Sequence, residues 1–213
     1  GLGDVYKRQG MMFVTFEGCE GVGKSTQLAL LKDYLKKTGQ EAVYVREPGS
    51  TEISEKIRSI ILDPENTAMT AQTEALLYAA ARAQLVAEVI RPALDAGKTV
   101  ICDRYVDSSA AYQGYARGLG VGFVAKINSY ALENAVPDVT VFIDLRPSAS
   151  FRSVSRDDRL EREEESFHDK VYEGYIAQSK ASNGRFVMIK PEKDKFDTHR
   201  KILAALRERG AVK

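Results

Sequence analysis

Residues Gly18-Cys-Glu-Gly-Val-Gly-Lys-Ser25 satisfy the spacing Gly-x-x-x-x-Gly-Lys-Ser/Thr in full. The pattern binds phosphate only when a strand runs into it and a helix leaves it, so it constrains the fold as well as the chemistry. Both flanks comply. Met12-Phe-Val-Thr-Phe16 is apolar and β-prone, and the stretch from Thr26 repeats leucine at 28, 31 and 35, on one helical face. Glycines let backbone N–H groups converge on phosphate oxygens, and the helix N-terminus adds a favourable dipole. Lys24 then reaches the β- and γ-phosphates, and Ser25 is placed to hold Mg²⁺. The ligand indicated is a nucleoside triphosphate; the loop alone does not say what is done with it.

Strand-like and helix-like segments alternate along the rest of the chain. Glu41–Arg46, Thr99–Cys102, Asp138–Asp144 and Arg185–Ile189 read as strands. Helices are expected over Ile53–Leu62, Thr70–Asp95 with a kink or break near Pro92, Phe167–Ser179 and Asp197–Arg209. A glycine-bearing stretch from Gly114 to Gly122 is expected to separate two more. This order predicts an α/β fold with a parallel sheet of about five strands, flanked by helices on both faces. Ligands of such sheets gather at the carboxyl ends of the strands. Three polar clusters fall there: the glycine loop, Arg46-Glu47-Pro48 and Asp103-Arg104-Tyr105.

Bulk properties narrow the partners. The chain has 213 residues, 44% hydrophobic and 29% charged, with a net charge of +1. That balance gives no electrostatic argument for nucleic acid or a membrane surface. No apolar run approaches the ~20 residues of a membrane-spanning helix. The two cysteines, Cys19 and Cys102, read as reduced thiols in a cytoplasmic protein. Residues 1–11 read as a leader foreign to the fold, which leaves one domain over 12–213 with a lid segment at about 150–165.

Transfer of a phosphoryl group to a second phosphate needs cations besides Lys24. Arg46, Arg58, Arg82 and Arg104 stand near strand ends or on adjoining helices. Asp103, directly after an apolar run, suits an acid that touches Mg²⁺ through water. Arg152, Arg156, Arg159 and Arg162 share one broad face if their segment is helical; they form either a salt-laced solvent face or a mobile lid. Tyr78 and Arg82 are four apart, so ring and guanidinium share a helix face and can stack on a base and bond its edge.

These residues resemble the bacterial thymidylate kinases. The resemblance runs from about Met12 to Tyr175 and rests on separated motifs in order: Phe16 through Gln27, Arg46-Glu47-Pro48-Gly49, Leu77 through Arg82, Asp103 through Ser109, Ala111-Tyr112-Gln113-Gly114, Arg117 through Gly120 and Asp158-Arg159-Leu160-Glu161. It implies a P-loop nucleoside monophosphate kinase fold, transfer of the ATP γ-phosphoryl group to dTMP in dTTP synthesis, Mg²⁺ as cofactor and a homodimer. Gly18, Cys19, Glu20, Gly21, Val22, Gly23, Lys24, Ser25 and Thr26 would bind ATP. Glu20 would contact the acceptor's 3′-hydroxyl, Arg104 and Arg58 its phosphate, and Asp103 the Mg²⁺ network. Tyr78 would stack on thymine and Arg82 read its carbonyl edge. Ser109 and Gln113 would line the base pocket, Tyr112 would crowd the sugar's 2′ position, Pro48 would help shape the dTMP pocket, and Arg46 would stabilise that loop or the phosphates.

Gly21 stands where some relatives carry a catalytic arginine, so the resemblance moves that cation to the lid, with Arg152 and Arg156 as the candidates. Three positions depart from the family pattern: Ser50 in place of a glycine, a short lid between Arg156 and Asp158, and Lys190-Pro191 in place of Asp-Ala. The rival readings are another nucleoside monophosphate kinase, a GTP switch and a binding-only pseudokinase. Tyr78, Arg82, Tyr112 and Gln113 count against the first. The lack of an Asn-Lys-x-Asp guanine motif counts against the second, and retention of Lys24, Ser25, Asp103 and Arg104 against the third.

Overall fold

A computed structural model describes residues 11–133, 135–147 and 157–213. Five parallel strands form one sheet in the order β2-β3-β1-β4-β5: β1 Phe13–Glu17, β2 Ala42–Arg46, β3 Thr99–Asp103, β4 Val139–Ile143 and β5 Phe186–Ile189. Strands β2, β3 and β1 are neighbours. Their carboxyl ends therefore lie side by side, with Arg46 paired to Asp103 and Asp103 to Phe16.

Both faces of the sheet are covered, which is why its strands read as near-continuous apolar runs. Val14 and Phe16 point to one face, where α1 (Lys24–Lys37) packs Leu31 and Leu35 beside Ile202, Leu203 and Leu206 of the last helix, Lys195–Glu208. Phe13 points to the other, into a cluster with Val100, Cys102 and Leu85. Burying side chains of this size contributes about 1.5–3 kcal/mol each.

The break expected near Pro92 takes a definite form. Helix α2 (Glu52–Leu62) packs on α3 (Ala71–Leu85), and α3 runs through a π-helical turn, Val86–Ile90, into α4 (Arg91–Asp95). Pro92 has no N–H to give, and its ring crowds the carbonyl four residues back, inside that turn. The stretch Gly114–Gly122 differs from expectation. Helix α5 (Val106–Ser109) continues as a second π-helical segment, Ala110–Ala116, that contains Gly114, while Gly122 lies within α6 (Val121–Ile127). The separation is the shorter loop between them.

Gly114 lies against α6: a Cβ there would sit 3.4 Å from the Val121 backbone, an ordinary packing distance. After α7 (Ser129–Leu132) and β4, Asp158–Glu163 forms turns, so Arg159 and Arg162 do not share a continuous helix. Arg152 and Arg156 lie outside the described residues. Helix α8 (Glu165–Ala181) then crosses the second π-helical segment, and α9 is the last helix, Lys195–Glu208.

Candidate active site

The glycine loop connects β1 to α1 as expected. Gly18, Gly21 and Gly23 have φ of 151°, 71° and 89°. At Gly18 a Cβ would also lie 2.9 Å from Val22 and 3.1 Å from the Ile143 carbonyl oxygen, so only glycine fits. Helix α1 has no side-chain cap and no acidic residue in its first turn, so its leading N–H groups face the loop uncapped. Cys19 and Val22 turn inward against Phe142 and Ile143. A donor phosphate would therefore meet them through backbone alone. Burial pushes the Cys19 thiol up to about 12, which keeps it protonated and unreactive.

One open cleft of about 870 Å³, including its mouth, lies over the carboxyl ends of β1, β2 and β3. The cleft is lined by Glu20, Lys24, Ser25, Arg46, Pro48, Arg58, Tyr78, Arg82, Asp103, Arg104, Ser109, Tyr112 and Gln113. Residues drawn from five separate stretches of sequence thus meet in one place. Gly18, Gly21 and Gly23 form the loop beside it, and Thr26 lies in the first turn of α1, rather than in its lining.

Arg104 sits at the centre. It takes a left-handed φ of 64°, which turns the chain sharply after β3 and sends the guanidinium back across the loop. Its Nη1 donates to Gly18 O at 3.0 Å, to Ser108 Oγ at 3.2 Å and to Tyr175 OH at 3.2 Å, and its Nη2 donates to Glu20 Oε1 at 2.5 Å. The Tyr112 hydroxyl also donates to Glu20 Oε1, at 3.0 Å, with the Arg104 guanidinium over the Tyr112 ring. Burial would raise the Glu20 carboxyl, but Arg104 and then Lys24 overcome it and hold the group at about 2. Glu20 is therefore an anion at neutral pH.

Among the described residues Lys24 Nζ hydrogen-bonds only the Gly18 and Cys19 carbonyl oxygens, at 3.4 and 3.3 Å, and burial followed by the nearby Arg104 charge lowers its pKa. Arg58 is lowered by burial and then by Arg46 beside it. An entering polyanion relieves both repulsions. Arg46 bonds both oxygens of Glu55 and the Pro48 carbonyl, so it serves the loop, as does Arg58 Nη1 at 2.9 Å from the same carbonyl. Ser50, in place of a glycine, adopts φ 70° all the same; its hydroxyl oxygen accepts from Arg46 N and its hydroxyl donates to Arg46 O.

Arg82 is nearly fully buried and heavily engaged. Its Nε and Nη2 donate to Glu47 Oε2 at 2.8 and 2.5 Å, Nη1 donates to Asn128 Oδ1 at 2.7 Å and Nη2 to Ser109 Oγ at 3.1 Å. The second Nη1 hydrogen is not taken by any described residue. Glu47 keeps Arg82 charged and fixes its plane. Tyr78, on the same face one turn earlier, is half-buried beside it in the cleft lining.

Asp103 and Ser25 both line the cleft, and Asp103 Oδ1 is buried without a hydrogen-bond partner. Among the described residues no cluster of three or more His, Cys, Asp or Glu could hold a metal by itself. An orphaned carboxylate oxygen with a hydroxyl across the cleft nonetheless suits Mg²⁺, which takes few protein ligands and completes its shell with water and phosphate oxygens.

Sequence reasoning missed the residues behind these groups. Glu17, the last residue of β1, accepts from Tyr105 N at 2.7 Å, Ser108 Oγ at 2.6 Å and Tyr175 OH at 2.9 Å, and so backs the groups that hold Arg104. Burial, with Asp107 nearby, pushes its carboxyl up to about 7. Glu74, on the first turn of α3, accepts from Gln113, Arg117 and Arg159. Its position offered a signal: Glu74, Tyr78 and Arg82 recur every four residues and share one helix face.

Comparison with known proteins agrees with this geometry. The family model described as Thymidylate kinase matches residues 16–202. A thymidylate kinase of Caldanaerobacter subterraneus subsp. tengcongensis is 46% identical over 198 residues, covering 92% of this chain and 95% of the relative. One of Bacillus licheniformis is 46% identical over 183 residues, covering 84% and 86%. The crystal structure of thymidylate kinase from Ehrlichia chaffeensis superposes with a TM-score of 0.76 at 30% identity, covering 93% of this chain and 99% of that one. A loop that binds triphosphates, a second ring of cations at adjacent strand ends and relatives matched over nearly their full length agree, and the chain belongs to the thymidylate kinase family.

Proposed function

We infer that this chain transfers the γ-phosphoryl group of ATP to the phosphate of dTMP, giving dTDP and ADP. The observation that carries the reading is the pair of cation sets lining one cleft: Lys24 at the end of the glycine loop, and Arg104 with Arg58. Phosphoryl transfer needs the two phosphates in line with their charge screened, and little covalent help from the protein. A dTMP phosphate oxygen attacks the γ-phosphorus, and the bond from that phosphorus to the β–γ bridging oxygen breaks, so ADP leaves with the electron pair. No enzyme-bound intermediate forms.

The roles follow from position. Lys24 and the N–H groups of the loop and the first turn of α1 hold the donor's phosphates, while Arg104 and Arg58 hold the acceptor's. Glu20, kept anionic, accepts from the sugar's 3′-hydroxyl while fixing Arg104. Tyr78 stacks on the base, the spare Arg82 hydrogen meets its O4, and Tyr112 fills the space a 2′-hydroxyl would need. Arg152 and Arg156 supply the remaining positive charge from the lid. Ser25 and Asp103 would hold Mg²⁺, which when bound screens the charge on the donor's phosphates.

Helix α2 supports the homodimer. Ile53 and Ile60 are seven apart on one face and 50% and 48% exposed, and Leu76 of α3, the helix packed on α2, is 52% exposed. An apolar stripe facing outward on adjoining helices is what a second copy of the chain would cover. Sedimentation at micromolar concentration should give twice the chain mass, and Ile53→Asp with Ile60→Asp should halve it; a monomeric wild type refutes the dimer. Among the described residues no helix is long and apolar enough to cross a membrane, and a cytoplasmic location is part of the same proposal.

ADP formation measured with ATP and Mg²⁺ against dTMP, dUMP, dCMP, AMP and GMP tests the activity. Turnover with dTMP well above that with either purine is expected. Turnover with AMP or GMP and none with dTMP contradicts it.

A further inference from the structure

Glu74 joins the base end of the cleft to the turn at Asp158–Glu163. It is 1% exposed, and its Oε1 accepts from Gln113 Nε2 at 2.8 Å and from Arg117 Nε at 3.2 Å. Its Oε2 accepts from Arg117 Nη2 at 3.1 Å and from Arg159 Nη2 at 2.5 Å. Arg117 continues to Glu163 at 2.6 Å, and Arg159 Nε donates to Ile61 O at 3.0 Å. Gln113 lines the same cleft as Tyr78, Arg82 and Ser109, and its Oε1 is buried with no hydrogen-bond partner.

A glutamine amide can turn over about its last bond and exchange donor for acceptor. A carboxylate only accepts. With Glu74 in place, Gln113 must turn its NH₂ toward α3, and what remains for a ligand is its oxygen. Thymine carries a hydrogen on N3 and suits an acceptor. Cytosine has a lone pair at N3 and is repelled by one.

We propose that Glu74 is a positioning residue for base specificity: by accepting from Gln113 Nε2 it keeps Gln113 Oε1 as the acceptor for the N3–H of dTMP, and so selects against dCMP. The inference rests on reading the cleft as the dTMP site. It assigns the discrimination to a residue that does not touch the substrate, buried among arginines that hold its charge.

Glu74→Gln tests it. Arg117 and Arg159 still need an acceptor, so the new amide turns its oxygen to them and its NH₂ to Gln113. Gln113 must then turn over and offer NH₂ to the base. The kcat/KM for dTMP is expected to fall about tenfold or more, the worth of a buried hydrogen bond replaced by two facing donors. That for dCMP should not fall with it, so the dTMP/dCMP ratio drops by at least about tenfold.

Arg159→Gln loosens the same cluster without changing the group that faces Gln113, and should lower both substrates alike. An unchanged ratio in Glu74→Gln overturns the inference, as does an equal change of ratio in Arg159→Gln. If Glu74→Gln does not fold, Gln113→Asn draws the amide back from an intact Glu74; the same fall in ratio is expected, and an unchanged ratio overturns the inference. Wild type is measured in the same assay: if it fails to phosphorylate dTMP, the reading of the cleft falls as well, whereas normal wild-type turnover with an unmoved ratio defeats the role of Glu74 alone.

Discussion

Arg104→Ala separates the two halves of the cleft. In the structure the Arg104 guanidinium contacts one loop carbonyl, two hydroxyls and Glu20. If it holds the acceptor phosphate with two charge-assisted bonds worth about 1.5–3 kcal/mol each, removing it costs about 3–6 kcal/mol. That is roughly a 10²- to 10⁴-fold loss in kcat/KM for dTMP. ATP should be spared, because Arg104 is one of the groups that lower the Lys24 pKa, and its loss leaves the lysine more firmly charged. The Kd for ATP, from calorimetry without acceptor, is expected to change less than about threefold, under 1 kcal/mol.

The same change carries a signature in stability. Arg104, with Lys24, depresses Glu20 from 4.5 to about 2 against the opposing effect of burial. A depressed carboxyl contributes stability that is present above its unfolded pKa and lost as pH falls through the folded one. Wild type should therefore lose up to about 3 kcal/mol from this group between pH 4.5 and 2, and Arg104→Ala should lose less across that window. Equal weakening of ATP and dTMP binding would refute the reasoning, because it would put Arg104 on the donor side.

Two further substitutions probe the frame around the cleft. Arg82→Leu leaves Glu47 buried without its partner, the two side chains being 1% and 3% exposed; a loss of about 3–5 kcal/mol follows, seen by calorimetry as a Tm lowered by about 6–20 °C. Gly174→Ala tests the close crossing of α8 over the second π-helical segment, where the new methyl would lie 2.8 Å from Tyr115 Cβ and 3.0 Å from Ala111 Cα. Overpacking there should cost about 1–3 kcal/mol in urea unfolding, and because Tyr112 rides on the same segment, the KM for dTMP should rise more than that for ATP.

What could be read from the sequence was local. The glycine loop, the polar ends of three strands and the four-residue spacing of Tyr78 and Arg82 each declare themselves within a few residues. Only the sheet order makes those ends neighbours, because β3 lies between β2 and β1 although about 80 residues separate it from the end of β1. The groups missed are those whose role comes from partners far along the chain. Glu74 resembles any acidic residue in the first turn of a helix until Gln113, Arg117 and Arg159 close over it. Glu17 closes an apolar strand like a solvent-facing residue, yet Tyr105, Ser108 and Tyr175 bury it. Pro92 marked the break in the long helix but not its π-helical form, and nothing in Ala110–Ala116 announced the second π-helical segment.

The central claim is direct transfer between two nucleotides held in one cleft. Rapid quench with γ-labelled ATP, Mg²⁺ and excess protein tests it in a single turnover. The account predicts that label passes from ATP to the β-phosphate of dTDP, with none on the protein and none released as phosphate. Label on the protein before it reaches dTDP, or label released as inorganic phosphate while dTMP is left unchanged, would contradict it.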